Sequence, residues 1–198
     1  MNISLRDAVS ASKRVVDKNA EIPVQVGGGL HPSTAALWAY LMCIQDHFGV
    51  LGDLMEIGVF KGWGLFIPGS FCREDERLVL VDISEDNLAS ATSFVLDHKL
   101  VAKHQIQRAQ VDSVSPPAKQ NLLKCKPLRW VHIDGEHSYA ALFSDMSLSA
   151  SLAGPDAILC VDDVDYKAAP SLNEALYDWL GLNRAWRLLL RGFNRVRP

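Results

Sequence analysis

The chain has 198 residues, a length suited to one domain, with 48% hydrophobic and 22% charged side chains. That balance supports a globular fold and excludes a disordered chain. Twenty basic against 23 acidic residues leave a net charge of −3, which gives no electrostatic reason to expect nucleic acid or an anionic membrane as a partner. No apolar run approaches the roughly 20 residues of a membrane span. The N-terminus, MNISLRDAVSASKRVVDKN, carries charges where a signal peptide has its apolar stretch, so a cytoplasmic location is expected.

The four cysteines stand at 43, 72, 125 and 160, with no C-x-x-C pair. They are expected to be reduced and mostly buried, not zinc ligands or disulfides. Charge is uneven at one place. Arg184, Arg187, Arg191, Arg195 and Arg197 crowd the last 15 residues, which hold no acid. Such a tail could meet an acidic partner, but a solvated end is the simpler expectation.

Residues 3–19 read as a weakly apolar helix, and 1–48 as an N-terminal helical segment, a lid or a dimer contact, which leaves a homo-oligomer open. Gly27–Gly29 reads as a joint. Ser33 or Thr34 should cap a helix running to about His47, with Leu37, Leu41, Ile44 and Phe48 on one face, ended by Gly49 and Gly52. An α/β core is then expected over 53–190. Its strands are 53–58, 78–82, 103–109, 129–134, 156–162 and a last one at 186–190. Between them, helices are predicted at 62–71 (shortened or kinked by Pro68 and Gly69), 85–98, 116–124, 139–152 and 171–180. In the helix at 85–98, Leu88, Ala91, Val95 and Leu96 should face inward. This alternation predicts a single α/β domain, a doubly wound, mostly parallel sheet with helices on both faces. Ligands of such sheets bind beyond the carboxyl ends of the strands. The residues there are Glu56, Gly58, Asp82, Asp112, Ser113, Asp134, Asp162 and Asp163, nearly all acidic.

The first strand ends in EIGVFKGWG, and Asp82 closes the second strand 20 residues after Gly62. Glycines at such a turn let backbone approach a ligand, and an acid at the next strand end can accept from ribose hydroxyls. The spacing is not the G-x-G-x-x-G of dinucleotide binding, which disfavours an NAD-dependent oxidoreductase. EIGVFKG followed by LVLVD resembles the first two motifs of class I S-adenosylmethionine-dependent methyltransferases. The resemblance implies a Rossmann-like methyltransferase fold. It places Gly58 and Gly62 under the methionine part of the cofactor, Asp82 at the ribose, and Asp112 with Ser113 beside adenine. Glu56 matches the acid before the first glycine. Gly64, where relatives tend to have Ser or Thr, and the Pro68–Gly69 pair depart from the pattern.

RWVHIDGEHSY puts Asp134, His137 and Tyr139 just beyond a strand, and the next strand ends in Asp162–Asp163. Three carboxylates at one cleft repel unless a cation or protons intervene, and hard oxygen donors suit Mg2+ or Ca2+. HIDGEHSY…VDD resembles the metal-dependent, macrocin-type O-methyltransferases and the related cephalosporin-hydroxylase-like proteins, over about 54–180. That resemblance implies Asp134, Asp162 and Asp163 as Mg2+ ligands. It implies methyl transfer to a hydroxyl of a small molecule such as a sugar or polyketide. His137 is the first candidate for the base and Asp134 the second. His132, inside the strand, reads as a satisfied core residue, and Tyr139 as packing with its hydroxyl at the cleft rim. Trp63 is either beside the cofactor or packed. His31, Trp38 and Tyr40 are candidate contacts for substrate. A hydroxylase-associated relative and a non-catalytic binding protein of the same fold remain alternatives. Family sheets usually finish with an antiparallel hairpin, which the short C-terminal stretch leaves little room for.

Overall fold

Alternating apolar residues in short strands build a sheet that buries both faces. The computed structural model describes residues 5–22, 30–115 and 126–191. The joint at 27–29, the helix at 116–124, Cys125, Arg195 and Arg197 lie outside them. In chain order come α1 (Leu5–Ala20), α2 (Pro32–His47), β1 (Asp53–Ile57), a 3-10 turn (Trp63–Leu65), α3 (Phe66–Phe71), β2 (Leu78–Asp82) and α4 (Glu85–Asp97). A second 3-10 turn (Lys103–Gln105) precedes β3 (Ile106–Gln110), followed by β4 (Leu128–Ile133), α5 (Tyr139–Leu152), β5 (Ala153–Val161) and α6 (Ser171–Leu182). No described helix is long and apolar enough to cross a membrane.

The five strands are all parallel, in the order β3-β2-β1-β4-β5. The chain moves one way from β1 to β2 and β3, then crosses to β4 and β5 on the other side. The reversal puts the topological switch point between β1 and β4, where ligands of such sheets bind.

The period-2 alternation sorts the core into two layers. Leu54, Leu78, Leu80 and Trp130 face a layer built from Trp38 and Met42 of α2, Ile67 of α3, and Leu88, Ala91 and Val95 of α4. Met55, Ile57, Val79, Val81, Val131 and Ile133 face Leu142 and Met146 of α5 and Leu172 and Trp179 of α6. Glu56 and His132 are register partners on adjacent strands, so their side chains enter the first layer beside Trp38.

Several expectations change. The cap of α2 is His31, whose Nδ1 accepts from the Ser33 backbone N–H, with Pro32 following, rather than Ser33 or Thr34. Pro32 fits the first helical position because no N–H is needed there. The buried face of α2 is Ala35, Trp38, Ala39, Met42, Cys43 and Gln45, and Phe48 is exposed. The Leu37–Leu41–Ile44–Phe48 stripe is offset from the core because α2 turns its small residues and Trp38 onto the sheet. Leu96 is only partly buried. β3 starts at Ile106, because Lys103–Gln105 takes a 3-10 turn in which the Gln105 side chain accepts from the Ala102 N–H. The run 186–190 is not a strand. It lies as irregular chain with Leu188, Leu189 and Leu190 exposed, so apolar content alone misleads where no strand pairs with the segment.

The end of the sheet opposite the switch point carries a buried ionic lattice. Arg129, fully buried, donates Nε to Glu76 Oε1 at 2.8 Å and Nη2 to Glu76 Oε2 at 2.9 Å, and also bonds the Phe71 carbonyl and Gln45. A guanidinium survives there because its fork is matched by a bidentate carboxylate and carbonyl acceptors.

Candidate active site

The strand tips are aligned by bonds that continue the ladders past the strands. Gly58 N–H donates to Val81, Asp134 N–H to Ile57, Asp162 N–H to Ile133 and Val111 N–H to Asp82. The acids predicted at separate tips are thereby held at one edge.

The glycine turn is shaped by packing. Gly58 (φ 84°) and Gly62 (φ 88°) have left-handed backbone. A Cβ on Gly58 would lie 2.1 Å from the Asp134 carbonyl oxygen, and one on Gly62 3.0 Å from the Ala91 Cα of α4. A Cβ on Gly64 would meet Glu56 Oε1 at 2.6 Å. The missing side chains therefore let the turn seat against β4, α4 and Glu56. That seating also accounts for Gly64 where a Ser or Thr was expected. Trp63 packs on Phe94 of α4, ring centres 5.5 Å apart.

Asp82, 8% exposed, is saturated by protein donors. Its Oδ1 accepts from Ser84 N–H (2.8 Å) and Asn87 Nδ2 (3.1 Å), its Oδ2 from Phe60 N–H (3.2 Å) and Asn87 Nδ2 (3.2 Å). Asp112 accepts from the Val114 N–H and stands exposed, with Ser113 beside it half-buried.

Across the switch point, His137 Nε2 lies 3.6 Å from Asp134 Oδ1 and 3.4 Å from Asp163 Oδ2. Asp162 Oδ1 accepts from the Asp163 N–H. Asp163 has a positive φ of 55°, uncommon outside glycine and best tolerated by Asp or Asn. Burial, then Asp162 and Asp134, push its carboxyl above the usual carboxylate range, while His137 pulls it down. Two groups have metal-compatible spacing, with one donor atom per residue within 4.8 Å of the others: His132–Asp134–Asp162 and Asp134–His137–Asp163. The three predicted acids thus meet through Asp134, and the donor set of carboxylates plus imidazole fits a divalent cation.

Several residues differ from their expected roles. His132 is buried but only part-satisfied: Nδ1 stands 3.5 Å from Glu56 Oε1, and Nε2 makes no hydrogen bond. Burial opposes charge on its ring, yet Glu56, Asp134 and Asp162 outweigh that, and the net shift is upward. Burial raises Glu56 itself, and His132 offsets part of the rise. Tyr139 turns away from the cleft and donates its hydroxyl to Asp178 of α6 at 2.9 Å. Trp38 is mostly a core residue, edge-on to Trp130 and His132, and His31 caps α2. Tyr40 is exposed.

Asp145 of α5 escaped the sequence reading. It is 1% exposed, its Oδ2 lies 3.0 Å from where a Gly135 Cβ would stand, and burial pushes its carboxyl up to about 6 while Ser113 pulls it down by a hydrogen bond. Its helical position shows only that it faces inward, not that it lies under the turn after β4. Burial also raises Cys43 to about 11 and Cys72 to about 12 and raises Cys160, so these thiols are poor nucleophiles.

A cavity of about 490 Å3 opens along β5. Leu37, Trp38 and Leu41 form an apolar wall, Cys160 the floor, and Asp162 and Asp163 one end.

Residues 55–164, more than half of the chain, match the family described as methyltransferase domain. The chain belongs to that family. By fold and family it is a class I S-adenosylmethionine-dependent methyltransferase. The O-methyltransferase from Bacillus cereus, solved with S-adenosylhomocysteine, superimposes with a TM-score of 0.62 at 16% identity over 89% of this chain and 80% of that one. CalS11, the TDP-rhamnose 3′-O-methyltransferase of calicheamicin biosynthesis, gives a TM-score of 0.60 at 16% identity over 100% of this chain and 94% of that one. TomG from Streptomyces achromogenes, involved in tomaymycin synthesis and solved with S-adenosylmethionine, gives 0.60 at 15% identity over 91% and 79%. A curated relative, ribosomal RNA small subunit methyltransferase H of Solibacter usitatus, is 29% identical over 96 residues. That alignment takes in 48% of this methyltransferase and only 32% of the relative's length. At such identities the solved structures establish the fold of this methyltransferase.

Proposed function

We propose that this methyltransferase transfers a methyl group to a hydroxyl of a small molecule with the help of a divalent metal ion. The observation that carries the reading is the meeting of Asp134, Asp162, Asp163 and His137 beside the glycine turn at the switch point. Bound S-adenosylmethionine would supply an electrophilic methyl, and a bound ion such as Mg2+ would lower the pKa of an acceptor hydroxyl.

The chain's own residues would do the rest. Gly58 and Gly62 hold the turn close to β4 and α4, leaving its open side to the methionine part of the cofactor, with Glu56 fixed beneath. Asp82 would take the ribose diol as Asn87 gives up its bonds to the carboxylate, while Phe60 and Ser84 keep theirs. Asp112 and Ser113 would border adenine. Asp134, Asp162 and Asp163 would hold the ion. His137, within reach of two of those acids and exposed to the cleft, would take the hydroxyl proton onto Nε2. The cavity along β5, apolar-walled and acid-tipped, suits a hydroxylated molecule with an apolar body.

The test is calorimetric titration of S-adenosylmethionine and S-adenosylhomocysteine with and without Mg2+, followed by a screen of hydroxylated acceptors for metal-stimulated methylation. Asp134→Ala and Asp162→Ala serve as controls. Cofactor binding with metal-independent turnover would remove the ion from the reading. Binding without turnover on any acceptor would favour a non-catalytic relative.

A further inference from the structure

His132 projects from the middle of β4 into an apolar layer. It is 3% exposed, with the Trp38 ring edge-on at 4.6 Å. Nδ1 has only a loose pairing with Glu56 Oε1, at 3.5 Å, and Nε2 makes no hydrogen bond. A buried imidazole nitrogen left without a partner is a costly arrangement unless something else uses it. What lies within reach is the acid cluster: one ring nitrogen and one carboxylate oxygen each from Asp134 and Asp162 are all within 4.8 Å of one another. Donors bonded at about 2.1 Å to one ion sit about 3.0–4.2 Å apart, so a small contraction closes the set.

We propose that His132 is itself a metal ligand. The inner site is then His132–Asp134–Asp162, a mixed imidazole and carboxylate set that prefers Fe2+, Ni2+ or Zn2+ to Mg2+ or Ca2+. The inference rests on the metal-assisted reading above and deepens it. Imidazole suits those transition ions, whereas carboxylates and water alone suit Mg2+, Ca2+ and Mn2+. Glu56 supplies what a ligating histidine ordinarily has, a carboxylate behind the ring that fixes its tautomer and aims the other nitrogen at the ion. The outer group, Asp134–His137–Asp163, is more exposed, and its imidazole already faces two acids. His132 takes the place given to Asp163 above, and Asp163 and His137 are left facing the acceptor.

The experiment loads the metal-stripped full chain with Mn2+ and looks by pulsed electron paramagnetic resonance for coupling to a directly bound imidazole nitrogen. The coupling is expected in the wild type and in His137→Asn, and lost in His132→Asn. Zn2+ should bind at least tenfold more tightly than Mg2+ in the wild type, with the margin shrinking in His132→Asn. If the His132 variant does not fold, nitrogen coupling kept in His137→Asn still assigns the imidazole to His132, because these two are the histidines of the candidate groups among the described residues. Mn2+ bound without nitrogen coupling, or coupling that disappears with His137 instead, overturns the inference and leaves the metal-assisted reading standing. A folded chain that binds S-adenosylmethionine but no divalent ion overturns both.

Discussion

The backbone N–H of Phe60 donates to Asp82 Oδ2 at 3.2 Å, tying the glycine turn after β1 to the tip of β2. The same carboxylate therefore orders the turn and stands where the ribose would bind. Asp82→Ala should cost at least tenfold in S-adenosylmethionine affinity, about 1.4 kcal/mol, and should also speed deuterium exchange at the Phe60 amide. Calorimetry and exchange mass spectrometry read the two effects separately. Unchanged affinity would place the ribose elsewhere.

Gly62 and Gly49 make a matched pair. Both have positive φ, 88° and 68°, but a Cβ on Gly62 would meet the Ala91 Cα at 3.0 Å while one on Gly49 meets nothing within 4 Å. Gly49→Ala should cost about 1 kcal/mol for left-handed backbone alone. Gly62→Ala should cost roughly 2–3 kcal/mol, because α4 must also move. Urea denaturation of both variants measures the difference. Equal losses would mean that the packing against α4 is soft.

Asp145 should make stability fall as pH rises. Below about pH 4 folded and unfolded chains are both protonated at this group, and it contributes nothing. As pH climbs toward about 6, the unfolded chain loses the proton while burial keeps it on in the folded one. Stability declines through that window and then stays low. Asp145→Asn should accordingly gain roughly 2–3 kcal/mol at pH 7.5, with the gain vanishing near pH 4. Denaturation of both proteins across that range checks it. A pH-independent difference would point to packing instead.

Arg129 and Glu76 are both almost fully buried, and each is the other's main counter-ion. Removing one strips the other of its buried bidentate partner and leaves it a lesser one, Arg73 at 3.1 Å for Glu76 and Asp46 at 3.9 Å for Arg129, so Arg129→Met or Glu76→Leu should each destabilise by about 3 kcal/mol. The double variant should lose less than the sum of the two, with a coupling of at least about 1 kcal/mol. Additive losses in thermal and chemical unfolding would show that Gln45 and the Phe71 carbonyl, not Glu76, support the guanidinium.

The strands and the acids at their tips were legible because parallel strands leave a simple trace. LVLVD is apolar until Asp82, and the acids that follow β4 and β5, Asp134 and Asp162, fall likewise at the ligand edge of the sheet. Partners were not legible. His132 alternates inward like any core residue, and only the fold reveals that its Nε2 has no partner. Arg129 read as the charged start of a strand, because its acceptors arrive from 45, 71 and 76. The run 186–190 failed as a strand for a related reason. Strand formation depends on a neighbour with free backbone groups, which residue type does not record.

The bend in β5 carries a last consequence. The one residue of β4 between Leu128 and Trp130 is spanned by four of β5, between Ala153 and Ile158. The excess chain holds an exposed Pro155 and an exposed Asp156 at φ 59°, and Gln45 latches it through the Asp156 carbonyl at 3.2 Å. β5 ends the order of described strands, and a flat rim there would template the addition of further strands from other molecules. An imino acid with no N–H, a charge and a left-handed kink interrupt that template early in the strand. The bulge thus works as a gatekeeper against fibrillar stacking, and straightening it should be felt first in solubility at high concentration and not in folding.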